Sequence, residues 1–259
     1  MDITMFGGII GAVCTVLLTL FLEGGHVGSF INIASIFLIL SGTFCATMGC
    51  FPLEHFKKAP YFLKKAFFHK PEDPTSMLQT LFRLAEKARR EGLLSLEDEK
   101  ESVENVFFKK GLQLVVDGID PQLIQKILEN EIDYRNEEEK IGSEIFLMAG
   151  GFSPTLGIVG TVMGLVHMLE RLGSSSGAGS LGKAVAGAFI ATFFGISTAN
   201  LAWLPIATKL KARAKEEKNM LLCIMEGVLA IQCGDNTAVL KEKLRVYFPK
   251  EIDELSSSK

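Results

Sequence analysis

The chain withholds charge where most sequences scatter it. No Asp, Glu, Lys or Arg occurs from Ile3 to Leu22 (20 residues), Gly24 to Leu53 (30), Ile145 to Leu169 (25) or Ala184 to Thr208 (25). With 48% hydrophobic residues and a positive mean hydropathy, these gaps argue against an enzyme of the ordinary water-soluble kind. A net charge of -3 leaves no basic surface broad enough for nucleic acid. Cysteine is scarce and unpatterned. Cys14, Cys45, Cys50, Cys223 and Cys233 form no CxxC pair and have no neighbouring His, so neither a metal site nor a disulfide framework is expected. They read as small apolar fillers, and no cofactor is expected. Internal repeats and low-complexity tracts are absent too.

What is present is four candidate membrane spans. About 20 residues at a rise of roughly 1.5 Å cross a hydrocarbon core of about 30 Å, so each gap is long enough. The first gap is not a signal peptide, because Met1-Asp2 supplies no basic leader and the apolar stretch runs past the usual length. Of 27 Lys and Arg residues, only Arg171 and Lys183 fall in the joins between spans one and two and between spans three and four. The other 25 lie between Pro52 and Gly142 (15) or after Thr208 (10). Lys57, Lys58, Lys64 and Lys65 flank span two, and Lys209, Lys211, Arg213 and Lys215 flank span four. The positive-inside rule then puts both termini in the cytoplasm.

The charged remainder reads as helices, which makes the chain an all-α integral membrane protein. The expected divisions are 1-53 (spans one and two), 54-142 (cytoplasmic helical domain), 143-208 (spans three and four) and 209-259 (C-terminal cytoplasmic helices). Pro71 and Pro74 interrupt the chain, after which Met77, Leu78, Leu81, Leu84 and Ala85 recur at helical spacing up to a capping Gly92. Ser95 with Asp98 suggests a capping box opening a second helix, ended by Gly111. Asp120-Pro121 opens a third, expected to run on through Glu137, Glu138, Glu139 and Lys140. After Thr208 the pattern predicts a basic turn, an apolar run from Met220 to Ile231 stopped by Gly234, and a last helix from Asp235 or Asn236. That helix shows Leu240, Leu244 and Tyr247 on one face and halts at Pro249, and Ser256 to Lys259 are expected to fray.

Spans three and four carry small and oxygen-bearing residues. Gly160 and Gly164 form a GxxxG, which permits close helix approach. Pro154 frees a backbone carbonyl, and Thr161, two turns on, offers a hydroxyl on the same face. Span four repeats the ingredients with Ala188, Ala191, Thr192, Gly195, Ser197, Thr198, Asn200 and Pro205. Such oxygens can replace part of an ion's water shell, although the same residues also suit plain helix packing. No carboxylate lies at depth; Glu144 and Glu170 sit at the two ends of span three, and His167 near one end reads as an interfacial residue. Ion movement would therefore require a carboxylate from a partner helix.

Several separated stretches resemble one family, the A subunit of the bacterial flagellar motor stator (MotA/PomA). They are Ala88-Arg89-Arg90-Glu91-Gly92-Leu93-Leu94-Ser95-Leu96-Glu97, Val116-Asp117-Gly118, the run Pro154 to Leu165, and Leu204-Pro205-Ile206-Ala207 with Lys209-Leu210-Lys211. The resemblance implies a homo-oligomeric ring of A subunits, a pentamer, around a dimer of a B subunit (MotB/PomB-like) that supplies a membrane aspartate. It also implies residence in the bacterial inner membrane, conduction of H+ or Na+, and torque on the rotor protein FliG. Under it Arg89 and Glu97 match the charged pair facing the rotor, with Arg90, Lys87 and Glu91 near enough in sequence to share that contact. Pro154 and Pro205 match the prolines tied to ion passage and torque, and threonines at Thr161 and Thr192 lean toward Na+. An ExbB/TolQ-type energiser of outer-membrane processes is the alternative; that family resembles this chain only in the last two spans.

Overall fold

The computed structural model describes residues 3–68, 72–172 and 178–257. Every regular element among them is helical. The helices are α1 (Ile3–Leu22), α2 (Ile33–Cys50), α3 (Leu53–Phe56), α4 (Ala59–Phe68), α5 (Pro74–Glu91), α6 (Val106–Val116), α7 (Pro121–Leu172), α8 (Ala178–Thr198), α9 (Leu204–Gln232), α10 (Thr237–Leu244) and α11 (Pro249–Ser257). They fall into two compact units. The span unit is Met1–Lys70 with Glu139–Ala212, and the charged unit is Pro71–Glu138 with Arg213–Lys259.

Four helices are long and apolar enough to cross a bilayer: α1, α2, the Pro121–Glu170 part of α7, and the stretch Ala184–Gln232. The chain is a membrane protein. α1 buries only Met5 and turns Ile10, Leu17, Leu18 and Phe21 outward, as a lipid-facing helix must. The second charge-free gap is longer than its helix. Within Gly24–Leu53, a single 3-10 turn (Val27–Phe30) precedes α2, which opens only where the Asn32 side chain accepts a hydrogen bond from the Ser35 amide at 3.2 Å. At the other end of the unit, Phe62 and Ala66 of the amphipathic α4 pack with Met5, Phe146, Ile206 and Leu210. Lys65 and Glu139 pair beside this cluster at 2.7 Å, with side chains only 8% and 13% exposed.

The charged unit is built round one apolar core. Leu78, Leu81 and Leu84 of α5 meet Phe107 and Phe108 of α6, Leu128 of α7, Ile224 and Val228 of α9 and Leu240 of α10. α5 starts on an Asp73 cap with Pro74 in its first turn and ends at Gly92, whose φ of 88° is in the left-handed region that a side chain resists. The third expected helix is α7, capped by Asp120 and continuous through Glu137–Lys140.

Several expectations are corrected. Ser95 does not open a helix: its hydroxyl donates back to the Gly92 carbonyl at 2.7 Å, within a 3-10 turn, Leu93–Leu96. The second helix starts instead at the Asn105 cap, and Gly111 lies inside it. A Cβ at Gly111 would sit 2.9 Å from a Val228 methyl, so this glycine serves the packing of α6 on α9 and does not stop the helix. The helix capped by Asn236 does stop short of Pro249, but it is not the last: Pro249 is the first residue of α11, where a missing N–H costs nothing. α11 reaches Ser257, beyond where fraying was expected, while Pro71, Ser258 and Lys259 lie outside the described residues. The basic turn expected after Thr208 is part of α9, with no break.

Gly111→Leu overfills the α6–α9 contact and should destabilise the charged unit by about 1–3 kcal/mol. Urea unfolding followed by circular dichroism should show the shifted midpoint; an unchanged midpoint would show that the space left by Gly111 contributes nothing to the α6–α9 contact.

Candidate functional site: a threonine seam and a charged turn

The span unit owes its most polar feature to missing side chains. α7 and α8 approach so closely that a Cβ at Gly195 would lie 2.6 Å from the Ser153 carbonyl, and one at Gly157 would lie 3.0 Å from the Ala191 carbonyl. Gly160 and Gly164 continue the seam against Ala191 and Ala188, each at 2.8 Å. The GxxxG pair is thus one half of a longer contact, whose closest point lies at Gly157 and Gly195.

That spacing brings hydroxyls together. Thr161 and Thr192 hydrogen-bond to each other across the seam. The Thr161 hydroxyl also lies 3.1 Å from the Gly157 carbonyl and 3.0 Å from the Ala188 carbonyl, and Thr192 lies 3.3 Å from the Gly157 carbonyl. One hydroxyl carries one proton, so two protons serve four oxygens and lone pairs are left over. A second bridge, Ser153 to Thr198 at 2.6 Å, lies further along, with Ser153 fully buried. Neither Ser153 nor its bridge was singled out from sequence; the cue available was its place one turn before Gly157.

Pro154 stands half-buried inside α7 and cannot donate to the Gly150 carbonyl, yet the helix continues through it. Pro205 is likewise half-buried and follows a π-turn, Ala199–Trp203, in which the helix widens by one residue. The structure joins Thr161 directly to Thr192. It places Pro154 next to the Ser153–Thr198 bridge and Pro205 just beyond the π-turn. No carboxylate stands between Ile145 and Leu169 or between Ala184 and Thr208.

In the charged unit, Arg89 and Arg90 occupy the last turn of α5, both exposed. Arg90 pairs with Glu86 at 2.5 Å, whereas Arg89 forms no ion pair among the described residues. Glu97 is exposed at the end of the 3-10 turn, not in the first turn of a helix, and pairs with Lys100 at 2.9 Å. Arg89 and Glu97 therefore face outward from either side of the Gly92 reversal without bonding each other. A groove of about 750 Å³ beside Arg89 is lined by Arg83, Arg90 and Lys241 with Glu86 and Asp235 among them, and by Phe82 and Leu255.

The residue that fixes this turn is Glu99, which sequence reasoning missed. Its carboxylate accepts from Lys87 at 2.8 Å and from Arg83 at 2.5 Å, tying the loop after Gly92 back onto α5. The visible hint was the i, i+4 spacing of Arg83 and Lys87 on one helix face. Hydrogen bonds from Lys87 and then Arg83 hold the Glu99 carboxyl down at about 2. A carboxyl depressed in the folded state stabilises fully above its unfolded value of 4.5 and progressively less as pH falls toward about 2. In acid titrations the charged unit's Tm should fall more steeply over that window in the parent chain than in Glu99→Gln. Parallel curves would show that the clamp contributes nothing.

Comparison with known proteins bears on both regions. The MotA/TolQ/ExbB proton channel family matches residues 99–221. Motility protein A of Borreliella burgdorferi is 40% identical over 89% of this chain and 88% of its own length. The C. jejuni MotAB structure superposes with a TM-score of 0.90 at 29% identity, covering 96% of both chains. The flagellar MotAB stator complex from Bacillus subtilis superposes at 0.89 with 34% identity, covering 97% of this chain and 98% of that one. A threonine seam without its own acid, an outward charged turn and near-full-length likeness agree: this chain belongs to the family of flagellar motor stator A subunits.

Proposed function

We propose that this chain forms a pentameric ring around a B-subunit dimer in the bacterial inner membrane and converts cation flow into torque on the rotor protein FliG. It acts as a mechanical transducer and not as an enzyme. Both termini lie in the cytoplasm, which places the charged unit on the rotor side. Residues 1-53 and 143-208 form the membrane part, and 54-142 with 209-259 form the cytoplasmic part. The observation that carries this reading is the Thr161–Thr192 oxygen cluster, which has lone pairs for a cation and no carboxylate to hold one. The carboxylate comes from the B subunit, and the cation passes between that acid and the seam. Each elementary charge crossing 100 mV supplies about 2.3 kcal/mol.

Surplus hydroxyl and carbonyl oxygens suit a dehydrating Na+ better than a proton hopping along a relay, which favours Na+ over H+ as the coupling ion. Pro154 and Pro205 remove backbone donors toward the Ser153–Thr198 end of the polar seam, and so let α7 and the α8–α9 junction shift as the cation passes. Arg89 and Glu97, with Arg90 beside them, push on the rotor from a turn that Glu99 keeps rigid. ExbB/TolQ-type energisers share the middle of this chain's pattern; the full-length likeness to MotAB favours the flagellar reading.

Two outcomes check the assignments. Arg89→Ala with Glu97→Ala should leave stator assembly intact, by membrane abundance and co-purification with the B subunit, and remove most swimming speed. Thr161→Val with Thr192→Val should abolish the dependence of swimming on external Na+ together with most of the speed. Undiminished Na+-dependent swimming would remove the seam from the ion path.

A further inference from the structure

α2 lies against both helices of the glycine seam. A Cβ at Gly42 would sit 3.0 Å from a Leu156 methyl, one at Gly160 would sit 3.1 Å from a Leu38 methyl, and one at Gly187 would sit 3.1 Å from the Asn32 side chain. The Leu38–Gly160 and Gly42–Leu156 contacts fix an antiparallel register, in which four residues forward on α2 match four residues back on α7. The buried face of α2 continues as Ile39, Thr43 and Thr47, none more than 2% exposed. On α7 the facing row runs Gly160, Leu156, Ser153, and Ser153 is fully buried. The register therefore sets Ser153 at a height between Thr43 and Thr47.

These two threonines behave unlike others in the chain. Thr15, Thr19 and Thr198 each donate to the carbonyl one turn back on their own helix, and so does Ser41 of α2 itself. That is how a helical hydroxyl in apolar surroundings is ordinarily satisfied. Thr43 and Thr47 make no such bond, and neither hydroxyl has a partner among the described residues. A buried hydroxyl in that condition has lost its hydration without return. At 1% and 2% exposure the two are enclosed by this chain, too completely for a side chain of another polypeptide to reach them, so what they bind is small. Residues four apart on a helix stand roughly 5–6 Å apart at Cβ, which is twice an O–H···O distance of about 2.8 Å. The span carries no carboxylate from Gly24 to Leu53, so a bare cation would meet no counter-charge there.

We propose that one buried water molecule bridges the Thr43 and Thr47 hydroxyls and donates to the Ser153 hydroxyl. The protons are consistent with it. The Thr198 hydroxyl lies 2.8 Å from the Phe194 carbonyl and 3.2 Å from the Gly195 carbonyl, and gives its one proton to them. Ser153 is then the donor in the 2.6 Å bridge to Thr198, and keeps lone pairs to accept from the water. Thr43 and Thr47 donate to the water, which gives it the three partners usual for a buried one. The water ties α2 to the Ser153–Thr198 bridge, and so to α7 and α8 together. It does not depend on which ion, or whether any, passes the Thr161–Thr192 cluster.

The test pairs cryo-electron microscopy, at a resolution that shows ordered water, with thermal melting of the full-length chain in its membrane complex. The parent map should show density within hydrogen-bonding distance of Thr43, Thr47 and Ser153 in Na+ and in K+ buffer alike. Thr43→Val and Thr47→Val keep a similar side-chain shape, and each should lower Tm by about 2–4 °C, the shift that one lost hydrogen bond gives in a chain of this size. The double variant should lose little more than either single one, because both act through one water. Additive losses, or a Tm raised by either valine, overturn the site, since the hydroxyls would then be independent or merely unpaired. So does density present only with Na+, which would mark a cation, or a map in which both threonines donate to their own helix. If neither valine variant assembles, the parent map decides alone.

Discussion

The distance between two backbones governs the span unit. Inside a bilayer the lipid tails are as apolar as leucine, so helices gain nothing merely by touching and must associate through close packing and hydrogen bonds. α7 and α8 achieve both at once. Gly157 and Gly195 let the main chains meet, and that separation is what puts the Thr161 and Thr192 hydroxyls, and those of Ser153 and Thr198, within bonding reach. Packing and chemistry are one constraint here: a methyl group on either glycine would widen the gap and dissolve the oxygen cluster.

The charged unit reaches its rigidity by another route. Its core of leucines and phenylalanines holds α5, α6 and α9 in place, and the turn after Gly92 is then set by a single acid bridging Arg83 and Lys87. Glu99 is only partly exposed, which keeps those bonds from the full screening of water, while Arg89 is left outside the network and faces solvent. The same economy appears in the membrane under the proposed function, where a seam of oxygens without an acid takes its carboxylate from a second polypeptide.

Much of this was readable from residues alone, for reasons that also explain the misses. Charge exclusion is a property of whole segments, so Ile3–Leu22 could be named to the residue. The gap Gly24–Leu53 was trimmed at its start because an uncharged stretch need not be helical, and the Asn32 cap decides where α2 begins. Gly92 and Gly111 look alike in sequence, yet one permits a left-handed turn and the other makes room for Val228, a partner far along the chain that no local window reveals. Pro249 is ambiguous in the same way, since proline suits both the end of one helix and the first turn of the next. For the candidate site, residue types announced the ingredients at Thr161 and Thr192. Their direct bond across two helices, and the Glu99 clamp across a reversal, depend on tertiary geometry.

The widened turn at Ala199–Trp203 has a consequence for how this region can vary. One extra residue in a helical turn rotates everything after it by about 100° relative to everything before it. The hydroxyl side of α8 and the Pro205 side of α9 are therefore phased by a count of residues as well as by their identity. Side chains in that stretch can be exchanged one at a time, but its length is quantised: a single deletion would remove the extra residue and swing one end away from the partners it faces.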